Sequence, residues 1–226
     1  MHFATKILAI ALCLVAIIIG LHIAFRYLVD PASLGNHSLD TTPLAITLSQ
    51  TRLSIAQNVI RHKKDRKAGT TDHLDLYFLW PGLEGYNKDN ADIFHSADRQ
   101  NELIFVSLVH ETAPSSMERR LDGIYRRFFI RKPWRGPDGL IGQALDPASG
   151  YPAEDIFYTR DHDTIFLTRC LQEAEAARKQ IRASCLYDFA LDKNLTAIVR
   201  FDRSLLDQWH PISSSIKRRL VAMRSQ

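Results

Sequence analysis

Residues Ile7 to Phe25, ILAIALCLVAIIIGLHIAF, form a nineteen-residue stretch without a charge, with Lys6 before it and Arg26 after it. A helix of that length, at about 1.5 Å per residue, crosses the roughly 30 Å hydrocarbon core of a bilayer. As a core helix of a globular protein it would be apolar all round and have no face to offer to water. A cleaved signal peptide needs a shorter apolar run, followed by small residues at the cut. Here the run ends Leu21-His22-Ile23-Ala24-Phe25, with no such pattern. Lipidation at Cys13 is disfavoured by Leu12 before it and by the apolar residues that continue past it. The segment therefore reads as a retained signal anchor over 7–27, preceded by a cytoplasmic tail, 1–6, and contacting the lipid bilayer.

Charge near the span sets the expected orientation. Lys6 and the α-amino group lie on the short side. Beyond it only Arg26 is basic before Arg52, while Asp30 and Asp40 are acidic. Lysine and arginine favour the cytoplasmic side, which places the C-terminal part outside: a single-pass inner-membrane protein with an extracytoplasmic, periplasmic domain. Residues 28–43 read as a linker, rich in Pro, Gly, Ser, Asn and Asp. Residues 44–226 are enough for one globular domain with a sizeable core.

All 25 acidic residues lie from Asp30 onward, as do all basic ones except Lys6 and Arg26, so the domain's net charge is only +2. The basic isoelectric point is thus no argument for nucleic acid, and no zinc-finger spacing or aromatic-basic RNA motif is present. Cys170 and Cys185 are the only cysteines outside the anchor. Two cysteines in an oxidising compartment tend to pair, so a Cys170–Cys185 disulfide is expected; the alternative is two buried free thiols.

Patterning predicts an α+β domain, mainly an antiparallel sheet with a few packed helices. Strands are expected at 44–48, 52–55, 74–80, 103–109, 156–159, 164–169, 185–190 and 195–201, and a further one within 140–145. Ser115 with Glu118 reads as a capping box. Met117, Leu121, Ile124 and Phe128 then continue at helical spacing, so a helix is predicted over 116–130, ended by Pro133. Helix formers over 173–181 suggest a helical turn or a polar excursion. Ser204 is expected to cap a short helix through Trp209, which Pro211 breaks as it opens the next. Ile212, Ile216, Leu220 and Met223 mark another helix. Residues 82–101 read as a long loop.

The segments TRLSIAQNVIR (51–61), LDLYFLWPGLEGY (74–86), GIYRRFF (123–129) and RFDRSLLDQW (200–209) resemble those of a family of small bacterial inner-membrane-anchored proteins. The resemblance covers nearly the whole extracytoplasmic part and rests on apolar and aromatic positions. It implies a periplasmic setting and brings no catalytic residues with it.

Candidate chemistry is sparse. Asp161-His162-Asp163 lacks the second ligand cluster a metal would need and suits a solvated turn. His110-Glu111 stands at a strand end, where functional groups often sit. His73 and Asp75 share one strand face and suit a surface ion pair. Ser214 with Lys217 matches S-x-x-K spacing without its companion motifs. No phosphate loop, dinucleotide fingerprint or hydrolase elbow is present, so no catalytic residue, cofactor or metal is assigned. Arg61, Lys63, Lys64, Arg66 and Lys67 form the densest charge run. They are the candidate patch for an anionic partner or an envelope protein, the alternative being a solvated hairpin tip. Arg126, Arg127, Arg131, Lys132 and Arg135 make a second basic stretch. Trp80, Tyr86 and Trp134 adjoin Pro or Gly and could line a cleft or close the core edge. The leading functional expectation is a membrane-tethered domain acting through protein or cell-envelope contacts. Alternatives are a periplasmic enzyme or ligand-binding module, and a toxin-immunity-type protein.

Overall fold

The computed structural model describes residues 37–111, 117–161 and 164–225. The apolar run at 7–25, Ser115 of the expected capping box and His162 lie outside these residues. No helix among the described residues is long and apolar enough to cross a membrane.

The main element among the described residues is one antiparallel sheet of eight strands. In chain order they are β4 (His73–Leu79), β5 (Leu103–His110), β6 (Phe129–Arg135), β7 (Ile141–Leu145), β8 (Glu154–Asp161), β9 (Thr164–Leu171), β10 (Ser184–Asp192) and β11 (Leu195–Asp202), and in space they run β4-β5-β11-β10-β9-β8-β7-β6. After β5 the chain crosses to the far edge, then meanders back strand by strand until β11 closes against β5. A smaller sheet holds β1 (Pro43–Leu48), β2 (Thr51–Ala56) and β3 (Gly69–Thr71), with β1 between the other two. The described helices are α1 (Ala91–His95), α2 (Met117–Gly123), α3 (Glu173–Arg178) and α4 (Trp209–Ala222).

Alternation decides which face of the large sheet is buried. Leu74, Leu76 and Phe78 of β4, Ile104, Val106 and Leu108 of β5, and Ala197, Val199 and Phe201 of β11 point one way and join a single core. Onto that face pack Ile46, Leu48, Leu53 and Ile55 of the small sheet, together with Ile212, Ile216 and Leu220 of α4. The predicted i, i+4, i+8 stripe of α4 is therefore its buried seam. The chain after α4 pairs with β2: Ser54 N–H donates to Met223 O (2.7 Å) and Ser225 N–H to Arg52 O (3.0 Å). This covers an edge that would otherwise offer free backbone groups.

Four expectations are corrected. The helix expected over 116–130 ends at Gly123; a 3-10 turn, Tyr125–Phe128, and strand β6 follow. Ile124 is exposed, so the apolar seam does not continue. Pro133 lies within β6, the last strand of the order, where no further neighbour needs its missing N–H; the β6–β7 register is broken between Ile130 and Trp134. The loop at 82–101 contains α1, which Asn87 and Asn90 prepare: Asn87 Oδ1 accepts from the N–H groups of Asp89 (2.8 Å) and Asn90 (3.0 Å). Pro211 sits inside the first turn of α4, where an N–H has no helical partner anyway. Asp202, rather than Ser204, caps the preceding turn by accepting from Ser204 N–H at 2.9 Å.

Cys170 and Cys185 are bonded, with Sγ atoms 2.01 Å apart, and face each other directly across β9 and β10. That ladder holds only two residue pairs, whereas β8–β9 and β10–β11 hold eight each. The disulfide therefore spans the weakest seam of the large sheet.

Candidate functional site

The second face of the large sheet is only partly covered. The β4–β5 connection folds α1 over one end, where Ile93 and Phe94 pack with Tyr77 and Leu103. The β5–β6 crossing lays α2 over the other, where Leu121 and Tyr125 pack with Leu145, Ile156 and Leu167. Direct cross-strand pairing runs Tyr77, Phe105, Arg200, Leu186, Arg169, Ile156 between the two caps. Residues directly opposite one another share a face, so this row is the floor of an open trough. One part of the trough is a groove of about 720 Å³, lined by Phe105, Arg200, Arg182, Ile181 and Asp202 among others. Beside it lies a smaller recess of about 160 Å³ with Tyr125, Tyr151, Arg169, Leu186 and Asp188 in its wall.

Most charges in the trough are paired. Arg120 Nη1 lies 2.5 Å from Asp188 Oδ1, Arg169 Nη1 lies 3.5 Å from Glu154 Oε2, and Arg182 Nη1 lies 3.8 Å from Asp202 Oδ2. The exceptions are Arg61 and Arg200. Their guanidinium carbons sit 5.0 and 4.7 Å from the centroid of the same ring, Phe105. Among the described residues neither side chain has a carboxylate partner. Partial burial, and after it the Arg61 charge, pull Arg200 below its usual pKa, with Asp75 opposing.

Asp75 is the acid nearest to hand, but its oxygens are committed. Oδ1 accepts from Ser107 Oγ (2.5 Å) and lies 3.0 Å from His73 Nε2, while Oδ2 lies 3.3 Å from His62 Nε2. Burial alone would raise this carboxyl; the Ser107 and His73 hydrogen bonds and the two nearby rings outweigh it and hold it below the ordinary range. The expected His73–Asp75 pair is present and gains two partners. Ser107 bonds to the carboxylate and, among the described residues, to no histidine, so the described group lacks the serine–histidine contact of an activated nucleophile.

The basic run 61–67 divides. Arg66 turns inward: its Nε and Nη2 donate to Ile60 O at 3.1 and 2.9 Å, and Nη2 also reaches Arg61 O at 3.3 Å. Arg61, Lys63, Lys64 and Lys67 remain exposed. The second basic stretch, Arg126 to Arg135, belongs to the turn before β6 and to β6 itself, at the opposite end of the strand order from β4. The two stretches do not form one patch.

Behind Arg66 lies an aromatic nest. His37 stacks on Tyr86 with centroids 4.6 Å apart, and its Nδ1 is 3.1 Å from Tyr77 Oη. Phe94 and His95 meet His37 edge-on. Burial, then the charges of His95 and Arg66, lower His37 to about 4. Burial raises the Tyr77 hydroxyl to about 12 against the pull of Arg66. His37 belongs to the compact unit His37–Gln226, so the end of the expected linker lies against the domain.

The remaining candidates stay apart. His110 is exposed, and Glu111 Oε2 accepts from Thr196 Oγ1 at 2.7 Å, away from both grooves. Ser214 Oγ donates to Pro211 O at 3.2 Å, and Lys217 is exposed. Trp80 Nε1 donates to Gln208 Oε1 at 2.8 Å and closes the core edge; Trp134 lies over Gly142 on the β6–β7 edge. No group of three metal-ligating side chains occurs among the described residues. Sequence reading missed Arg200 and Phe105. Strict alternation in β11 and β5 puts both on the outer face, but their meeting with Arg61 depends on β11 pairing with β5 at that register.

No family model matches the chain, and no curated protein matches it. Among solved structures it is similar to Smlt3025, an immunity protein of the Stenotrophomonas maltophilia type IV secretion system: 16% identity, TM-score 0.57, over 84% of this chain and 96% of that one. The Neisseria meningitidis iron-regulated outer membrane lipoprotein FrpD matches at 12% identity and TM-score 0.49, over 84% of this chain and 98% of that one. The first likeness shows a shared fold.

Proposed function

We propose that this chain is a membrane-tethered immunity-type protein, which binds an exported effector protein outside the cytoplasm and blocks it. The observation that carries the reading is the half-covered sheet. One face is closed by α4 and the small sheet, while the other presents a trough with an aromatic and aliphatic floor and two unneutralised arginines. Such a surface suits protein recognition, where buried aromatic and arginine anchors contribute most of the affinity. The fold shared with a secretion-system immunity protein supports the same reading. The uncharged run at 7–25 supplies the tether, and the disulfide suits an oxidising compartment. The sequence resemblance to small membrane-anchored periplasmic proteins belongs with this assignment.

A competition assay tests it. Cells lacking the gene should be killed when grown against siblings that secrete effectors, and the full chain supplied in trans should restore survival. Survival of the deletion strain beside secreting siblings, equal to that of its parent, would rule the reading out.

A further inference from the structure

We infer that Arg61, Arg200 and Phe105 form a subsite that receives a carboxylate side chain of the protein partner, an Asp or Glu flanked by an apolar residue. This deepens the proposed function and rests on it.

Two guanidinium groups drawn onto one ring repel each other, and a fold gains nothing from leaving that repulsion uncompensated. Elsewhere in the trough Arg120, Arg169 and Arg182 each face an acid of this chain. At Phe105 no described acid comes within ion-pair distance: Asp75, whose charge offsets only part of the repulsion, is already held by Ser107, His62 and His73. An incoming carboxylate would supply it. Arginine suits this task, since its planar fork can bind both oxygens of a carboxylate, and stacking on Phe105 limits how far each fork can wander. The groove that continues from Arg200 is lined by Leu103, Phe105, Leu171 and Ile181, which gives an apolar neighbour of the acid somewhere to go.

A protein partner fits better than a lipid surface. Headgroups would be met first by the cations that project freely, Lys63, Lys64 and Lys67. Arg200 instead lines the groove, where a side chain reaches more readily than a headgroup layer.

The test uses the full chain in phosphatidylcholine nanodiscs. One probe is a fluorescent hexapeptide bearing adjacent Glu and Phe, another is the same peptide with Gln for Glu, and vesicles containing phosphatidylglycerol are the third. The acidic peptide should bind about tenfold more tightly than its amide counterpart. That preference should vanish in Arg61→Gln/Arg200→Gln and survive in Lys63→Gln/Lys64→Gln, with both variants matching the parent in circular dichroism and melting temperature. Equal binding of the two peptides, or a preference that outlives both arginines, overturns the subsite. So does arginine-dependent vesicle binding without any peptide preference. The competition assay separates the two claims. If the parent chain protects and the double variant protects equally, the subsite falls and the immunity reading stands; if the parent chain fails to protect, the immunity reading falls.

Discussion

Arg61 and Arg66 belong to one basic run, yet they do different work. Arg66 ties down the loop through Ile60 O and Arg61 O, while Arg61 leans over Phe105 towards Arg200. The run was visible in the sequence. Its division was not, because it depends on where the loop meets β4, at the Arg61 N–H to Asp75 O bond of 2.9 Å. Arg66→Gln should therefore lower thermal stability by about 1 kcal/mol through the lost carbonyl bonds, whereas Arg61→Gln should leave it within about 0.5 kcal/mol; thermal melts of the two variants check this. His37 gives a pH prediction. Its folded pKa, about 4, lies below the ordinary 6.5. Between those values the unfolded chain binds more protons, so stability is full above about pH 6.5 and declines as pH falls towards 4. After allowance for solvent screening the loss is on the order of 1 kcal/mol. Melting temperatures measured across that window should fall for the parent and stay flatter for His37→Phe, which keeps a ring against Tyr86. Equal slopes would remove His37 from the account.

At the scale of elements, alternation carried most of the legible information. β4, β5, β10 and β11 lie within a residue or two of their expected bounds, because each shows one wholly apolar face to the core. The fold class followed from runs of such strands. The helix expected over 116–130 holds only as far as Gly123, since a seam of Met117, Leu121, Ile124 and Phe128 looks helical in isolation. Tertiary pairing of Phe129 with Leu145 takes its end for the sheet. The disulfide was legible from cysteine count and the expected compartment, but its place on the two-pair β9–β10 seam was not. Closing a loop with a sequence separation of 15 should stabilise by about 3 kcal/mol. Cys170→Ala/Cys185→Ala should lose about that much in denaturant melts. In hydrogen exchange the amides of 169–171 and 185–187 should open before those of the β5–β11 ladder; uniform opening of both would contradict a local seam. On the β6–β7 edge, the Trp134 ring occupies the space a Cβ at Gly142 would need. Gly142→Ala should displace the ring and red-shift its emission.

For the molecule as a whole, the central claim is that the sheet's second face, between the α1 and α2 caps, is the contact surface. The sequence foreshadowed this only in part. It marked outward-facing residues in each strand, but the trough exists because two connections, β4–β5 and β5–β6, cap the ends of that face and leave its middle open. Such long-range placement has no local signature. The opposite side, with Val221 exposed on α4, is the natural comparison. The most direct measurement places a photo-reactive amino acid at position 198 on the β11 floor, or at position 221, in the full chain inside cells that secrete effectors. The account predicts one exported protein covalently trapped from position 198 and none from position 221. Trapping from 221 with nothing from 198 would contradict it.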